Sequence, residues 1–420
     1  LIKRLVGLAE TLLPPTASKL WEARDVAGSL LRMGTVPKTR GAVTDVVTSD
    51  VNLDRLPALT CWPDDGGPFI TLPLVYTEHP CRPGHNLGMY RMQVHDCRST
   101  GMHWQIGKGG GFHYAAAEAG GQALPATVFL GGPPALMLAA IAPLPENVPE
   151  LMLASLVAGQ RLPVVDNVGP HRLIGTAEFA LMGSVAPNVR RSEGPFGDHY
   201  GYYSLAHDYP VFSVEQIAHR KDAIYPATVV GKPRQEDFFI GDLLQELLSP
   251  LFPLVMPGVV DLWSYGETGY HSLGAAVVRQ RYEREAMASA FRILGEGQLS
   301  LTKFLLVTDQ PVDLRNFRET LVHLLERTHP ETDLYVFSNL SMDTLDYTGP
   351  EVNKGSKGVW LGLGPAVRQL PQEFRSSELP HGVSTVGVFC PGCLVVDAPA
   401  YDEEPNAGAR IANDEVFKDW

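Results

Sequence analysis

Three closely spaced prolines, Pro250, Pro253 and Pro257, divide this chain into halves that obey different patterns. Proline fixes φ and removes a backbone donor, so such a stretch ends regular structure and marks the strongest candidate boundary. Upstream, from Phe69, the pattern predicts a β-rich region with strands over 69–76, 89–94, 102–105, 126–130, 172–186 and 211–230. Helices are predicted over 113–119, 135–142 and 149–158, and an amphipathic one over 239–248. Downstream, strands at 273–279, 303–308 and 333–338 alternate with helices at 282–294 and 314–329, the signature of a layered βαβ unit. Beyond 340 the chain reads as loop-rich, with short strands at 384–389 and 394–396 and a polar helix near 413–420. The expected domains are 1–68, 69–249, 258–398 and a tail over 399–420.

Among 420 residues, 45% are apolar and 19% charged, as in an ordinary folded protein. Net charge is −13, with no basic run, so nucleic acid is a poor partner. An anionic substrate would need a local cationic pocket. The runs near 135–143 and 247–257 are short and broken by proline, and none is expected to reach the ~20 residues that span a bilayer. The opening Leu1-Ile2-Lys3-Arg4-Leu5 reads like the interior of a longer chain, with part of an N-terminus expected upstream. Five cysteines suit no disulfide framework, and Cys390-Pro-Gly-Cys393 reads as a turn pair. A reducing, cytoplasmic location is expected.

Chemistry concentrates in Glu193-Gly-Pro-Phe-Gly-Asp198-His199-Tyr-Gly-Tyr202-Tyr203. Two acids lie five positions apart on a backbone stiffened by Pro195 and loosened by glycines. Neighbouring carboxylates raise each other's pKa, so one is expected to stay protonated and serve as an acid. Gly107-Lys108-Gly109-Gly110-Gly111 could form an anion nest, but it lacks the spacing of a P-loop. Glu150 follows Pro149 at a predicted helix start, with Asn147 as cap, where a carboxylate is favoured electrostatically.

Several blocks together carry a resemblance. Asn86-Leu-Gly-Met-Tyr-Arg-Met-Gln93, Gly101-Met-His-Trp-Gln105, Gly131-Gly-Pro-Pro-Ala-Leu-Met137, Pro143-Leu-Pro-Glu146 and the 193–198 segment resemble the signature of the UbiD family of decarboxylases, in its order and spacing. The likeness extends over roughly residues 50–340, with support from 225–233 and 298–307. It implies an α/β (α+β) fold: a split β-barrel flavin-binding domain, a flanking N-terminal α/β segment and a C-terminal α/β oligomerisation domain. It implies prenylated FMN made by a separate flavin prenyltransferase, with manganese or magnesium and a potassium ion. The implied reaction is reversible, non-oxidative decarboxylation of an aromatic acid, releasing CO₂, by a homodimer or higher homo-oligomer away from nucleic acid and membrane. A phenolic acid is the first choice, a furan or other heteroaromatic acid the second and a cinnamate-like acid the third.

Carried over by position, Arg91, Glu193 and Asp198 form the catalytic network, with Asp198 as proton donor. Asn86 and Glu150 hold the divalent metal, and hard oxygen donors suit that role. Asn86, Met89, Tyr90, Arg91, Gln93, Met102, His103, Trp104, Gln105 and Lys108 form the cofactor site. Where the family has a third metal ligand this chain has Gly107; His103, His113 or the Lys108 ammonium could substitute. His199, Tyr202, Tyr203 and the Glu236-Asp237-Phe238 turn are expected beside the substrate. The competing reading is a UbiD-like scaffold or flavin-carrying assembly partner without activity.

Overall fold

The computed structural model describes residue 28 and residues 32–104, 109–142, 144, 149–376, 378–400 and 406–417. The chain forms two compact units, which meet in sequence between Leu248 and Ser249.

The first unit is built on a curled nine-stranded antiparallel sheet. Its strands are β2 (Val46–Thr48), β3 (Phe69–Ile70), β4 (Leu74–Glu78), β5 (His85–Met89), β6 (Met92–Asp96), β7 (Ser99–Gly101), β8 (Leu124–Leu130), β11 (Phe179–Glu193) and β12 (His207–His219). They run in the order β3-β6-β7-β12-β11-β8-β4-β5, with β2 added to β12. β5 and β6 are consecutive in sequence yet lie near opposite ends of that order. The two residues between them, Tyr90 and Arg91, therefore cross the mouth of the curl. The sequence pattern predicts one strand over 89–94; the structure interrupts it at these two residues, because each flank pairs with a different neighbour.

Met92, Met102, Val128, Leu181 and Phe212 fill the interior together with Val51 and Leu53, which come from the segment ahead of β3. Residues 102–104, predicted as strand, instead form a loop leaving β7. Helix α1 (Gly109–Ala119) packs against the sheet, and α2 (Pro134–Ile141) pairs with α3 (Glu150–Ala158). A separate small sheet joins β1 (Thr35–Lys38) in parallel to β9 (Leu162–Val165), which carries β10 (Leu173–Ile174). After β12 the chain has no further strand to 230, contrary to the sequence reading. It is pinned there by Trp62, whose indole donates to Val230 O at 2.7 Å. Helix α4 (Glu236–Leu248) ends the unit.

The second unit has a five-stranded sheet, β13-β14-β15-β17-β16, formed by β13 (Val259–Ser264), β14 (Leu273–Val278), β15 (Phe304–Thr308), β16 (Leu334–Leu340) and β17 (Gly355–Gly362). β14, β15 and β17 are parallel and the two edges antiparallel. Alternation along β15 sends Leu305 and Val307 to α5 (Glu285–Gly295) and Leu306 to the side of α6 (Phe317–Leu325), so each face has its own core. A hairpin of β18 (Thr385–Cys390) and β19 (Cys393–Asp397) places the two cysteines opposite each other at its turn. Against the helix predicted near 413–420, the regular helix α7 (Ala407–Ala412) lies ahead of that range, whose described residues hold a 3₁₀ turn at Glu415–Phe417. All five cysteines are free thiols.

Against the sequence reading, one helical run, Glu236–Val255, has by length and composition alone what a membrane span requires, at 20 residues and a mean hydropathy of 1.4. It carries Asp242 and Glu246 as well as Pro250 and Pro253.

Candidate active site

Arg91, freed from the strand ladder by the break between β5 and β6, reaches both acids of the 193–198 segment. Its Nε donates to Glu193 Oε1 at 3.1 Å and its Nη1 donates to Asp198 Oδ2. Nη2 donates to Ser204 Oγ at 3.0 Å, and the guanidinium carbon stands 4.6 Å from the centre of the Phe196 ring. Planarity matters here: one fork satisfies two carboxylates and a hydroxyl while its face rests on an aromatic ring.

Two histidines extend the network. His103 Nδ1 lies 2.7 Å from Glu193 Oε1 and His199 Nδ1 2.5 Å from Asp198 Oδ1. An ionised carboxylate only accepts, so both Nδ1 atoms carry protons. His103 also rests against the Tyr209 ring, 4.3 Å between centroids.

The loop that carries the acids is anchored by groups the sequence reading did not assign this task. Asp65 Oδ1 accepts from Gly197 N at 2.8 Å, and its Oδ2 accepts from Cys61 N and Trp62 N, each at 2.9 Å. Gln93 accepts from Gly194 N at 2.8 Å and donates to Gly66 O at 2.6 Å. Gly194 adopts φ +99°, which an L side chain resists. Gly66 lies so close beneath it that a Cβ would stand 2.1 Å from Gly194 O.

The electrostatics correct one expectation. The two acids do not keep each other protonated. Burial pushes Glu193 up, but His103 and Arg91 outweigh it and hold it below its ordinary value. For Asp198 burial is again opposed, by His199 first and then Arg91, and the result lies far below the carboxylate range. The guanidinium sits between the acids and cancels the repulsion on which that expectation rested. A carboxyl near the network that does rise is Asp237, in the first turn of α4: burial pushes it to about 6, with Asp198 adding to the rise and His199 opposing it.

A second corner lies on β5. Glu150, at the start of α3, accepts from Leu87 N at 3.2 Å, which sets its carboxylate beside Asn86. Burial raises the Glu150 pKa. Asn86 donates to Tyr90 Oη at 3.3 Å, and its Oδ1 faces Gly109, where a Cβ would stand only 2.1 Å away. His113 Nδ1 meets Thr77 Oγ1 at 2.9 Å, and Thr77 pairs with Asn86 across the strands. Among the described residues, no group of three or more His, Cys, Asp or Glu gathers as a metal site. The donors at this corner are one amide oxygen and one carboxylate, and that chemistry fits a hard divalent ion. Gln105, Gly107, Lys108 and Asn147 lie outside the described residues.

Other implied cofactor residues are distributed differently. Met89 ends β5, half-buried, and Tyr90 is buried with its hydroxyl also accepting from Gly110 N at 3.3 Å. Trp104 packs on Tyr114, 5.2 Å between ring centroids. The Met102 side chain is wholly enclosed in the core of the curled sheet. His103 serves Glu193 and Gln93 supports the acid loop. Tyr203 Oη accepts from Asp64 N at 3.2 Å, and Tyr202 stacks on Tyr200 at the surface.

A curled antiparallel sheet followed by a layered α/β unit is the arrangement that comparison with known proteins identifies. Residues 35–233 match the model of the 3-octaprenyl-4-hydroxybenzoate carboxy-lyase Rift-related domain, and residues 238–362 match that of the same enzyme's C-terminal domain. The chain belongs to the UbiD family of carboxy-lyases. An uncharacterized protein of Chlamydia caviae is 53% identical over 398 residues, covering 94% of this chain and 68% of the relative. A Chlamydia pneumoniae protein, named as a subunit of 4-hydroxybenzoate decarboxylase, is 54% identical, covering 96% of this chain and 68% of its own length. Among solved structures, the closed form of Sedimentibacter hydroxybenzoicus vanillic acid decarboxylase shares the fold with a TM-score of 0.75 at 24% identity, covering 87% of this chain and 80% of that one. The UbiD-class enzyme HmfF from Pelotomaculum thermopropionicum, solved with FMN, has a TM-score of 0.69 at 22% identity, covering 85% and 80%.

Proposed function

We propose that this protein removes CO₂ from a hydroxylated benzoic acid, reversibly and without net oxidation, using prenylated FMN and a divalent metal. The observation that carries this reading is the enclosed Arg91–Glu193–Asp198 network. Burying two carboxylates costs several kcal/mol each unless they are paired, and a purely structural ion pair needs only one. The relative named for 4-hydroxybenzoate supports a phenolic acid over a furan or cinnamate-like one.

Prenylated FMN, when bound, supplies the electron sink that a carbanion at an sp² carbon lacks. Asn86 and Glu150 would hold the metal, manganese by preference, against its phosphate. Arg91 fixes both acids and offsets part of their negative charge. The reaction exchanges one CO₂ for one proton on the same carbon. Asp198 is ionised in this network, so the proton it passes to that carbon is one received from His199, whose protonated Nδ1 lies 2.5 Å from Asp198 Oδ1. Glu193 locks the guanidinium and shares the network's proton load with Asp198. The neighbouring Asp237 carboxyl is half-protonated near pH 6, a local proton reserve for that exchange.

A relative named as one subunit implies a companion chain, and one structural neighbour is named with two components, so a partner chain beside a homo-oligomer belongs to the same proposal. The test is co-expression with a flavin prenyltransferase, anaerobic purification, and CO₂ release from a panel of hydroxybenzoates, furoates and cinnamates. Turnover of phenolic acids with a prenylated-flavin absorption spectrum is the expected result. A flavin- and manganese-loaded protein inert toward the whole panel would favour the competing scaffold reading.

A further inference from the structure

Glu193 is almost wholly enclosed, with 1% of its surface exposed. Only one of its oxygens is engaged. Oε1 accepts from Arg91 and His103, whereas Oε2 has no hydrogen-bond partner. The Nε2 atom of His95 is likewise buried and unpartnered. Both atoms face the same point. A methyl group on Gly101 would stand 2.6 Å from Glu193 Oε2 and 3.4 Å from His95 Nε2. The two are therefore at most about 6 Å apart, within the reach of a single bridging water. Glycine at 101 is what leaves the space.

The backbone explains why His95 points there. The β6–β7 register slips between Val94 and Asp96, so His95 is the extra residue of a bulge, a device that re-aims one side chain. Its surroundings join outside to inside. His95 is half-buried; beside it Arg191 and Asp96 form a surface pair at 3.1 Å, each about half exposed. The charged groups acting on the ring are Arg191 and Glu193 from β11 and Asp96 from its own strand. Burial first, then Arg191, lower its pKa, while Glu193 and Asp96 oppose them.

We propose that His95 is a positioning residue of the proton supply, through which Glu193 Oε2 exchanges its proton with solvent by way of one water at Gly101. The imidazolium gives its Nε2 proton to the water and the water gives one to Oε2. Neutral imidazole and a carboxylic acid result, and the ring is then reprotonated from solvent. This rests on the decarboxylation proposed above, since each carboxylate that leaves as CO₂ draws one proton into an enclosed network.

Two measurements test it. In the protein as purified, ring-proton NMR follows the His95 titration, assigned by the resonance lost in His95→Gln. Glu193→Gln removes the negative charge facing the ring and should lower the His95 midpoint by roughly half a pH unit or more. In cofactor-loaded enzyme, His95→Gln and His95→Asn should lower kcat about ten-fold with KM unchanged. They should also flatten the acid limb of the pH profile, and added imidazole should restore part of the rate. A His95 midpoint unmoved by Glu193→Gln overturns the relay whether or not any acid is turned over. Wild-type turnover with an unchanged kcat and pH profile in both His95 variants overturns it as well. Wild-type inactivity on every acid, with the NMR coupling present, counts against the decarboxylase reading and leaves the relay standing.

Discussion

At Arg91 the shape of the charge matters as much as its sign. A lysine would place one ammonium where the guanidinium now serves Glu193, Asp198 and Ser204 together. Arg91→Lys should therefore cut turnover by at least about 100-fold while the fold persists. Arg91→Met leaves two enclosed carboxylates without their cation and should cost about 3–5 kcal/mol in urea unfolding at pH 7. Both acids are held below their ordinary values in the folded protein. Their contribution is complete above the unfolded values of about 4 and is lost as pH falls through the lower folded ones. The gap between wild type and Arg91→Met should thus be widest near neutrality and close in acid. Asp237 has the opposite sign. Its folded pKa is raised to about 6, so the native state holds the extra proton and stability falls as pH climbs from about 4 to 6. Asp237→Asn should melt higher than wild type at pH 7.5 and converge with it by pH 4. Arg91, Glu193 and Asp198 were legible in the sequence because their types and order are distinctive. Ser204, His199 as partner of Asp198 and the rise of Asp237 were not, since they follow from which atoms the folded chain brings together.

The acid loop is an element held by its backbone. Asp65 alone accepts three backbone N–H groups, one of them from Gly197 between the two acids. Asp65→Ala should cost about 2–3 kcal/mol, because hydrogen bonds to a charged acceptor are worth more than neutral ones. It should also lower kcat at least ten-fold, although residue 65 touches neither Arg91 nor a substrate. Asp65→Asn, which keeps an acceptor, should recover part of both losses in thermal unfolding and turnover assays. Contacts of this kind leave no trace in hydrophobic periodicity. The same blindness explains one strand. β17 reads as loop because Gly355, Gly358 and Gly362 interrupt it, yet a Cβ at Gly358 would stand 2.3 Å from the Phe304 ring and one at Gly362 3.0 Å from Leu324. Lys357, buried in that strand, looks like a surface residue until its amine is seen donating to Ser300 O and Thr302 O. The break at Tyr90–Arg91 is hidden for the converse reason. Both residues suit a strand, and only the pairing of β5 with β4 and of β6 with β3 forces the crossing.

At the scale of the molecule, the chain holds two units whose cores are built from different residues, one inside the curled sheet and two flanking the five-stranded one. The proline-rich stretch, where the sequence changes period, begins next to the point at which the two units meet in sequence. All the residues proposed to hold flavin and metal, and the whole acid network, fall within the first unit. A ligand stabilises only the cooperative unit that binds it, by about 2.7 kcal/mol at one hundred times its dissociation constant. Calorimetry of the intact protein should therefore resolve two transitions, of which one rises by several degrees on adding FMN with manganese while the other stays in place. Glu150→Gln should abolish the manganese-dependent part of that rise and spare the flavin-dependent part, because Glu150 is the one anionic group among the proposed metal ligands and makes no proposed contact to the ring. If FMN and manganese move neither transition, or if Glu150→Gln leaves the manganese effect intact, the metal does not sit between Asn86 and Glu150. The acid network would then have to work on a cofactor anchored by some other group.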